Sequence, residues 1–173
     1  GAENIHSWRW IGDASRIAFA DRDYYVGDPK FVNVPTRALI SQAYLKPRAE
    51  EIRQSDKALE NIQAGQFGKA YAQGMAVELP STSHLVVVDK EGNVVSMTTS
   101  IENAFGSGLM ANGYLLNNEL TDFAFNPVGE DGKTVANSVA GGKRPRSSMA
   151  PTIVMKDGKP YLAVGSPGGS RII

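Results

Sequence analysis

The fold is decided by the stretch Thr82-Ser-His-Leu-Val-Val-Val-Asp-Lys-Glu-Gly-Asn-Val-Val-Ser-Met-Thr-Thr-Ser100. Two runs rich in β-branched residues, 85–88 and 94–100, flank a polar loop that contains Gly-Asn. This pattern predicts an antiparallel β-hairpin, and the continuous apolar character of the first run is typical of a buried strand. A second hairpin is predicted over 152–164, where two apolar runs flank an Asp-Gly turn.

The residues before this hairpin show the period of helices. Apolar residues recur at helical spacing between Trp10 and Ala18, with charged residues on the other side. Thr36 is placed to cap a short helix that ends at Ile40. Pro47 suits the first turn of a further helix, predicted over 48–54.

The order of these patterns predicts an α+β protein in three parts. Residues 1–54 are predicted to be helical, and residues 82–173 to be the β-rich catalytic part. Between them, residues 55–81 are dominated by Gln, Gly, Ala and Lys and have little apolar periodicity, so we predict an exposed, mobile connector. After a glycine-rich turn, Ser170 is placed to cap a helix, but the sequence stops at Ile173. We therefore expect a truncated piece of a longer protein.

Composition excludes several classes of function. The 18 basic and 18 acidic residues balance, which gives no electrostatic basis for binding nucleic acid or an anionic membrane. The absence of cysteine excludes a thiolate nucleophile, a disulfide and a Cys-based metal site, and no apolar run is long enough to predict a membrane span. His6 and His84 lack zinc-site spacing, and no cofactor is predicted. Because His84 begins a strand, a structural role is favoured for it.

Three loops contain polar groups that could bind a substrate, although each is also compatible with an ordinary turn. Residues 117–122 place two carboxylates behind an apolar pair and could bind an ammonium group. Residues 144–149 form a short basic loop whose hydroxyls could donate to a carboxylate. The glycine-rich segment 165–169 lacks the Gly-Lys-Ser/Thr of a phosphate-binding loop, but its amides could hold an oxyanion.

Thr82 lies at the junction between the predicted connector and the first strand. A cut before Thr82 would give it a free amine, whose unperturbed pKa of about 7.7–8.0 suits a general base at neutral pH. That amine could take the proton of the same residue's hydroxyl. Thr82 would then supply both nucleophile and base, and no histidine would be required.

Taken together, these stretches resemble the γ-glutamyltranspeptidase family. The matching segments are 82–89, 92–93, 98–100, 105–108, 115–123, 143–152 and 165–171, with further similarity at 18–22 and 27–29. The resemblance implies a precursor that cuts itself between Ser81 and Thr82 into large and small subunits. It implies a four-layer αββα sandwich of the N-terminal-nucleophile hydrolases, of which this chain would be a fragment. It also implies a γ-glutamyl ester on Thr82 that is passed to water, an amino acid or a peptide, and a periplasmic or secreted location.

The resemblance also assigns roles by position. Ser100 matches a hydroxyl that hydrogen-bonds the nucleophile and assists processing. Glu119 and Asp122 match groups that bind the substrate α-ammonium. Ser147 and Ser148 match hydroxyls that hold the substrate α-carboxylate. Gly168 and Gly169 match the amides of the oxyanion hole.

One substrate-contacting position departs from the family pattern. Glu102 stands where well-studied members have Asn, and an acid there would repel the glutamyl carboxylate unless it is paired or protonated. Glutathione-like γ-glutamyl amides are the first expectation for the substrate. Glu102 adds weight to a related acylase, of poly-γ-glutamate or cephalosporin type. A non-catalytic relative that serves as a binding module is the further alternative.

Overall fold

The computed structural model describes residues 4–68, 71–75, 82–169 and 171–173. These residues fall into two compact units. The first takes the described residues up to Met75 together with Ala124–Arg144. The second takes Thr82–Phe123 together with the described residues from Pro145 to the end of the chain.

The helices of the first unit are α1 (Ile5–Tyr25), α2 (Thr36–Leu39) and α3 (Gln42–Gln54). The side chain of Asn4 caps α1 by accepting a hydrogen bond from the backbone N–H of His6 at 2.9 Å. None of the helices in the described part of the chain is long and apolar enough to cross a bilayer.

The predicted start of α3 is wrong, because the helix begins at Gln42 and contains Pro47 within it. Ser41 is the N-cap, and its hydroxyl accepts from the backbone N–H of Tyr44 at 3.3 Å. Pro47 has no N–H to donate to the carbonyl of Ala43, so the helix loses one bond. The cap and the five residues after it start the helix before the proline, which the sequence pattern placed in the first turn.

Residues of the predicted connector contact α1 in the structure. The buried carboxylate of Asp21 accepts from the backbone N–H of Gly65 at 2.7 Å and from the hydroxyl of Tyr44 at 2.7 Å. The hydroxyl of Tyr25 donates to the carbonyl of Gly65 at 2.6 Å. The ring of Phe67 packs edge-on against Tyr25, with ring centroids 5.3 Å apart. This part of the predicted connector is therefore anchored by hydrogen bonds and aromatic packing.

Residues 124–144 cluster with the helical unit, although the sequence pattern groups them with the β-rich part. Val135 forms a parallel bridge with Ala72 and is fully buried. The backbone N–H of Arg144 donates to the Asp28 carboxylate at 3.0 Å. This contact, together with the basic side chain of Arg144, lowers the pKa of Asp28. These pairings join distant parts of the chain, so local sequence patterns do not report them.

The second unit is built from hairpins, and both predicted hairpins are confirmed. The strands are β1 (Ser83–Val88), β2 (Val94–Thr99), β3 (Met110–Ala111), β4 (Tyr114–Leu115), β5 (Thr152–Lys156) and β6 (Lys159–Val164). They pair antiparallel as β1–β2, β3–β4 and β5–β6. In the first hairpin Ser83 lies opposite Thr99, and Val88 lies opposite Val94.

The prediction that 85–88 is a buried strand is wrong, because these residues are exposed in the structure. The exposed fraction of the side chains rises from 38% at Leu85 to 62% at Val88. A two-stranded sheet leaves its faces open unless another layer packs on it. Among the described residues, the apolar run of β1 is therefore exposed.

Candidate active site

Thr82 and Ser100 lie at the open end of the β1–β2 hairpin. Thr82 immediately precedes β1 and Ser100 immediately follows β2, and both are partly buried. Because Ser83 pairs with Thr99, the register places the two hydroxyl residues side by side. The Thr82 hydroxyl donates to Ser100 Oγ at 3.2 Å. The structure thus contains a hydrogen bond between the two hydroxyls that the resemblance pairs.

The chain turns sharply after Ser100. Ser100 Oγ accepts from the backbone N–H of Glu102 at 2.9 Å, so one oxygen contacts both the candidate nucleophile and this turn. Glu102 adopts φ of 71°, in the left-handed region that residues other than glycine rarely occupy. Its side chain is only 7% exposed. A strained backbone thus directs a carboxyl group into a buried position.

Asn118 brings the acidic loop against this turn. Its backbone N–H donates to the carbonyl of Ile101 at 3.2 Å, and its side-chain oxygen accepts from the N–H of Asn103 at 2.8 Å. A short 3₁₀ helix, Glu119–Asp122, begins immediately afterwards. The two bonds of Asn118 therefore fix where the acidic residues lie relative to Glu102.

Three carboxyl groups meet as a result. Glu102, Glu119 and Asp122 each place one oxygen within 4.8 Å of the others. Partial burial, the charge and hydrogen bond of Asp122, and the charge of Glu102 together raise the pKa of Glu119 to about 7. Burial, and then the charge of Asp122, also raise the pKa of Glu102, while the hydroxyl of Thr121, 3.2 Å from Glu102 Oε1, acts in the opposite direction.

This acid cluster, Glu102–Glu119–Asp122, is suited to a cation. Adjacent carboxylates repel one another and retain protons until a positive charge arrives. Their oxygens could accept hydrogen bonds from an organic ammonium group, and they are also hard ligands of the kind that divalent metals prefer. The sequence singled out each of the three acids but gave no separate role to Asn118 or Thr121, whose contacts assemble the cluster.

Residues 144–149 present two neighbouring serines in different surroundings. Ser147 is exposed, and its Oγ accepts from the backbone N–H of Met149 at 3.1 Å, which leaves the hydroxyl able to donate. Ser148 is buried, as is Arg146. The loop therefore combines an exposed hydroxyl with a buried hydroxyl and a buried guanidinium.

The glycines proposed for the oxyanion hole follow β6. Gly168 has φ of 136°, and a Cβ added there would lie 2.7 Å from Ile172 Cγ2, so glycine is required on both grounds. Gly169 is partly buried beside it. The predicted cleavage residue Ser81 and the predicted helix cap Ser170 lie outside the described residues.

The chain matches the family model described as Gamma-glutamyltranspeptidase over residues 1–173. It is 44% identical over 185 residues to a glutathione hydrolase proenzyme of Bacillus subtilis, an alignment that covers 98% of this chain and 30% of that protein. It is 37% identical over 160 residues to the capsule biosynthesis protein CapD proenzyme of Bacillus anthracis, covering 92% of this chain and 25% of the relative.

A solved structure supports the fold. The cephalosporin acylase of Bacillus halodurans superposes with a TM-score of 0.72 over 99% of this chain and 28% of its own, at 22% identity. That identity is informative about the fold alone. The chain spans less than a third of the length of each of these proteins. Since the family model matches every residue from 1 to 173, the chain belongs to the gamma-glutamyltranspeptidase family.

Proposed function

We propose that the natural protein containing this chain is an N-terminal-nucleophile amidohydrolase and acyltransferase that acts on γ-glutamyl amides, with Thr82 as its nucleophile. The observation that supports this most directly is the 3.2 Å hydrogen bond from the Thr82 hydroxyl to Ser100 Oγ. Family membership and the glutathione hydrolase proenzyme among the relatives support the same reaction class. The protein is periplasmic or secreted in this proposal, as the sequence resemblance implies.

The first step of the proposal is self-cleavage. The Thr82 oxygen attacks the carbonyl carbon of Ser81, and the Ser81–Thr82 amide becomes an ester as its nitrogen takes up a proton. Water then hydrolyses the ester, which restores the hydroxyl and leaves a free amine on Thr82. Ser100 orients the attacking oxygen in this step, because its Oγ is fixed by the Glu102 N–H at 2.9 Å and accepts the Thr82 hydrogen.

The second step is acyl transfer from the substrate. The free amine of Thr82 takes the hydroxyl proton while the oxygen attacks the γ-carbonyl carbon, and the proton then passes to the leaving amine. In the proposal the amides of Gly168 and Gly169 stabilise the oxyanion that forms. Water, an amino acid or a peptide finally attacks the Thr82 ester and receives the γ-glutamyl group.

The acid cluster and the serine loop recognise the α-carbon end of the substrate in this proposal. The ammonium group is bound by Glu119 and Asp122. Its positive charge offsets the repulsion among the three neighbouring carboxyl groups. The α-carboxylate is bound by Ser147 and Ser148. Glu102 lies in the cluster rather than apart from it, which is consistent with a carboxyl that is neutral or paired when substrate binds.

A related acylase specificity is the second candidate, and Glu102 is the observation that favours it. A buried carboxyl at this position changes the charge that a substrate meets. The capsule biosynthesis relative and the fold of the cephalosporin acylase show that this family and this fold extend beyond glutathione hydrolases. Several small-molecule acyl donors are therefore compared in the test.

The test uses the full-length natural protein with glutathione, poly-γ-glutamate and a glutaryl-cephalosporin as donors. We expect the leaving amine to be released from glutathione. After rapid acid quenching, the peptide that begins at Thr82 should carry the mass increment of a γ-glutamyl group. Preference for either of the other donors would assign the related acylase instead. An uncut protein that turns over none of the three would exclude the enzyme and favour a binding module.

A further inference from the structure

We infer that His84 is a positioning residue that sets the separation between Thr82 and the oxyanion-hole glycines by packing its ring on Gly165. The inference rests on the proposed function, because it concerns how two parts of that active site are held together. It gives the histidine at the start of β1 a task in catalysis that does not involve proton transfer.

The contact between His84 and Gly165 is unusually close. A Cβ built on Gly165 would lie 2.6 Å from His84 Nε2 and nearer still to Cε1 and Nδ1, so the ring fills the space of a side chain. The φ angle of Gly165 lies outside the left-handed region. The backbone would accept alanine at this position, and it is the ring of His84 that excludes it.

The ring is oriented from one side only. His84 Nδ1 lies 2.9 Å from the Thr98 hydroxyl, on the residue that faces it across the β1–β2 hairpin. Nε2 is buried and has no hydrogen-bond partner in the described part of the chain. The orientation of the ring over Gly165 is therefore fixed by the contact of Nδ1 with Thr98.

The contact connects the two halves of the proposed reaction centre. Thr82 immediately precedes β1 and His84 is the second residue of that strand, so both lie at the same end of the hairpin. Gly165 directly follows β6 and lies three residues before Gly168. Next to it, the Ser96 hydroxyl reaches the carbonyl of Val164 at 3.5 Å. The end of β6 thus packs on the β1–β2 hairpin, and the glycine-rich segment 165–169 follows it directly.

This arrangement predicts that the space beside Gly165 can hold either the His84 ring or a side chain at position 165, but not both. Alanine at position 165 pushes the loop away from the hairpin, and removal of the ring makes room for the added methyl group. A displacement of about 1 Å between nucleophile and oxyanion donors costs on the order of 100-fold in rate. Substrate binding by the acid cluster is affected little, because those residues lie outside the contact.

The experiment measures kcat and KM for a γ-glutamyl anilide with five forms of the full-length natural protein: wild type, Gly165→Ala, His84→Ala, the double variant and Gly141→Ala. Gly141 is the matched control, since an added Cβ there meets nothing within 4 Å and its φ is ordinary. We expect kcat of Gly165→Ala to fall by about 10- to 100-fold with KM within about twofold. The double variant should recover at least half of that loss on a logarithmic scale.

A second substitution separates shape from folding. His84→Phe keeps a flat ring over Gly165 and should retain more of kcat than His84→Ala, even if Gly165→Ala fails to fold. The inference is overturned if Gly165→Ala behaves like Gly141→Ala, if the double variant is no better than Gly165→Ala, or if His84→Phe is no better than His84→Ala. Absence of Thr82-dependent turnover in the wild type would instead defeat the proposed function, and the positioning role with it.

Discussion

Lowering the pH from 8 to 6 is expected to weaken binding of the substrate's α-ammonium by about tenfold, because the acid cluster takes up a proton. Three carboxyl oxygens lie within 4.8 Å of one another, and the pKa of Glu119 is raised to about 7. As the pH falls through 7 the cluster loses negative charge, and the cation loses part of its attraction. The effect therefore has one sign: affinity is highest above pH 7 and falls below it.

The magnitude follows from the fraction of molecules that are ready to bind. With the pKa of Glu119 at about 7, the ionised fraction is about nine tenths at pH 8 and about one tenth at pH 6. The apparent dissociation constant scales inversely with that fraction, which gives roughly tenfold over two pH units. The proton belongs to the coupled cluster rather than to one oxygen, so titration is expected to be shared among its members.

The assay is calorimetric binding of glutamate to the self-cleaved, full-length protein. Titrations in buffers of different ionisation enthalpy count the protons released on binding. About one proton is expected per glutamate bound at pH 6, and about one tenth of a proton at pH 8. Binding avoids the separate titration of the Thr82 amine, which alters the rate of the chemical step. Glu119→Gln should remove most of the pH dependence, whereas Glu130→Gln, at an exposed position, should keep it. The same tenfold loss of affinity in Glu119→Gln, or no loss in the wild type, would exclude the cluster as the source of the pH dependence.

Three substitutions in the full-length protein test other contacts. Ser100→Ala removes the oxygen at 3.2 Å from the hydroxyl of Thr82, the proposed nucleophile, and should slow both self-cleavage and kcat by about 100-fold. A gel time course and initial rates measure these effects, and unchanged rates would contradict the prediction. Tyr44→Phe removes a 2.7 Å hydrogen bond to a buried carboxylate and should lower the free energy of unfolding by about 1 kcal/mol or more in urea titrations. Gly106→Ala forces φ of 54° on alanine and a Cβ to 3.0 Å from the carbonyl carbon of Leu116; it should cost about 1–3 kcal/mol by thermal unfolding, and an unchanged midpoint would contradict it.

Local signals in the sequence predict the hairpins well. The β1–β2 hairpin follows from its β-branched runs and polar loop, and these features act between residues that are close in the chain. The start of α3 was missed because the capping hydroxyl of Ser41 outweighs the expectation drawn from Pro47. The burial predicted for 85–88 is wrong, because burial depends on packing layers that the strand's own residues do not specify.

The candidate site divides in the same way. The resemblance assigns roles by position to Thr82, Ser100, Glu119 and Asp122, whereas Glu102 departs from the family pattern. The resemblance does not predict the left-handed backbone of Glu102 or the contact of the His84 ring with Gly165. The contact joins residues 81 positions apart in the chain, and the sequence pattern carries no signal for a positive φ at a residue other than glycine.

The proposal that Thr82 is a nucleophile released by cleavage of its own peptide bond is tested by the intact mass and N-terminal sequence of the purified full-length natural protein. These are followed over time for wild type, Thr82→Ala and the neighbouring control Ser83→Ala. We expect two fragments, the second beginning at Thr82, in the wild type and in Ser83→Ala, and a single uncut chain in Thr82→Ala. A wild type that stays uncut, or a Thr82→Ala variant that is cut at the same bond, would contradict it.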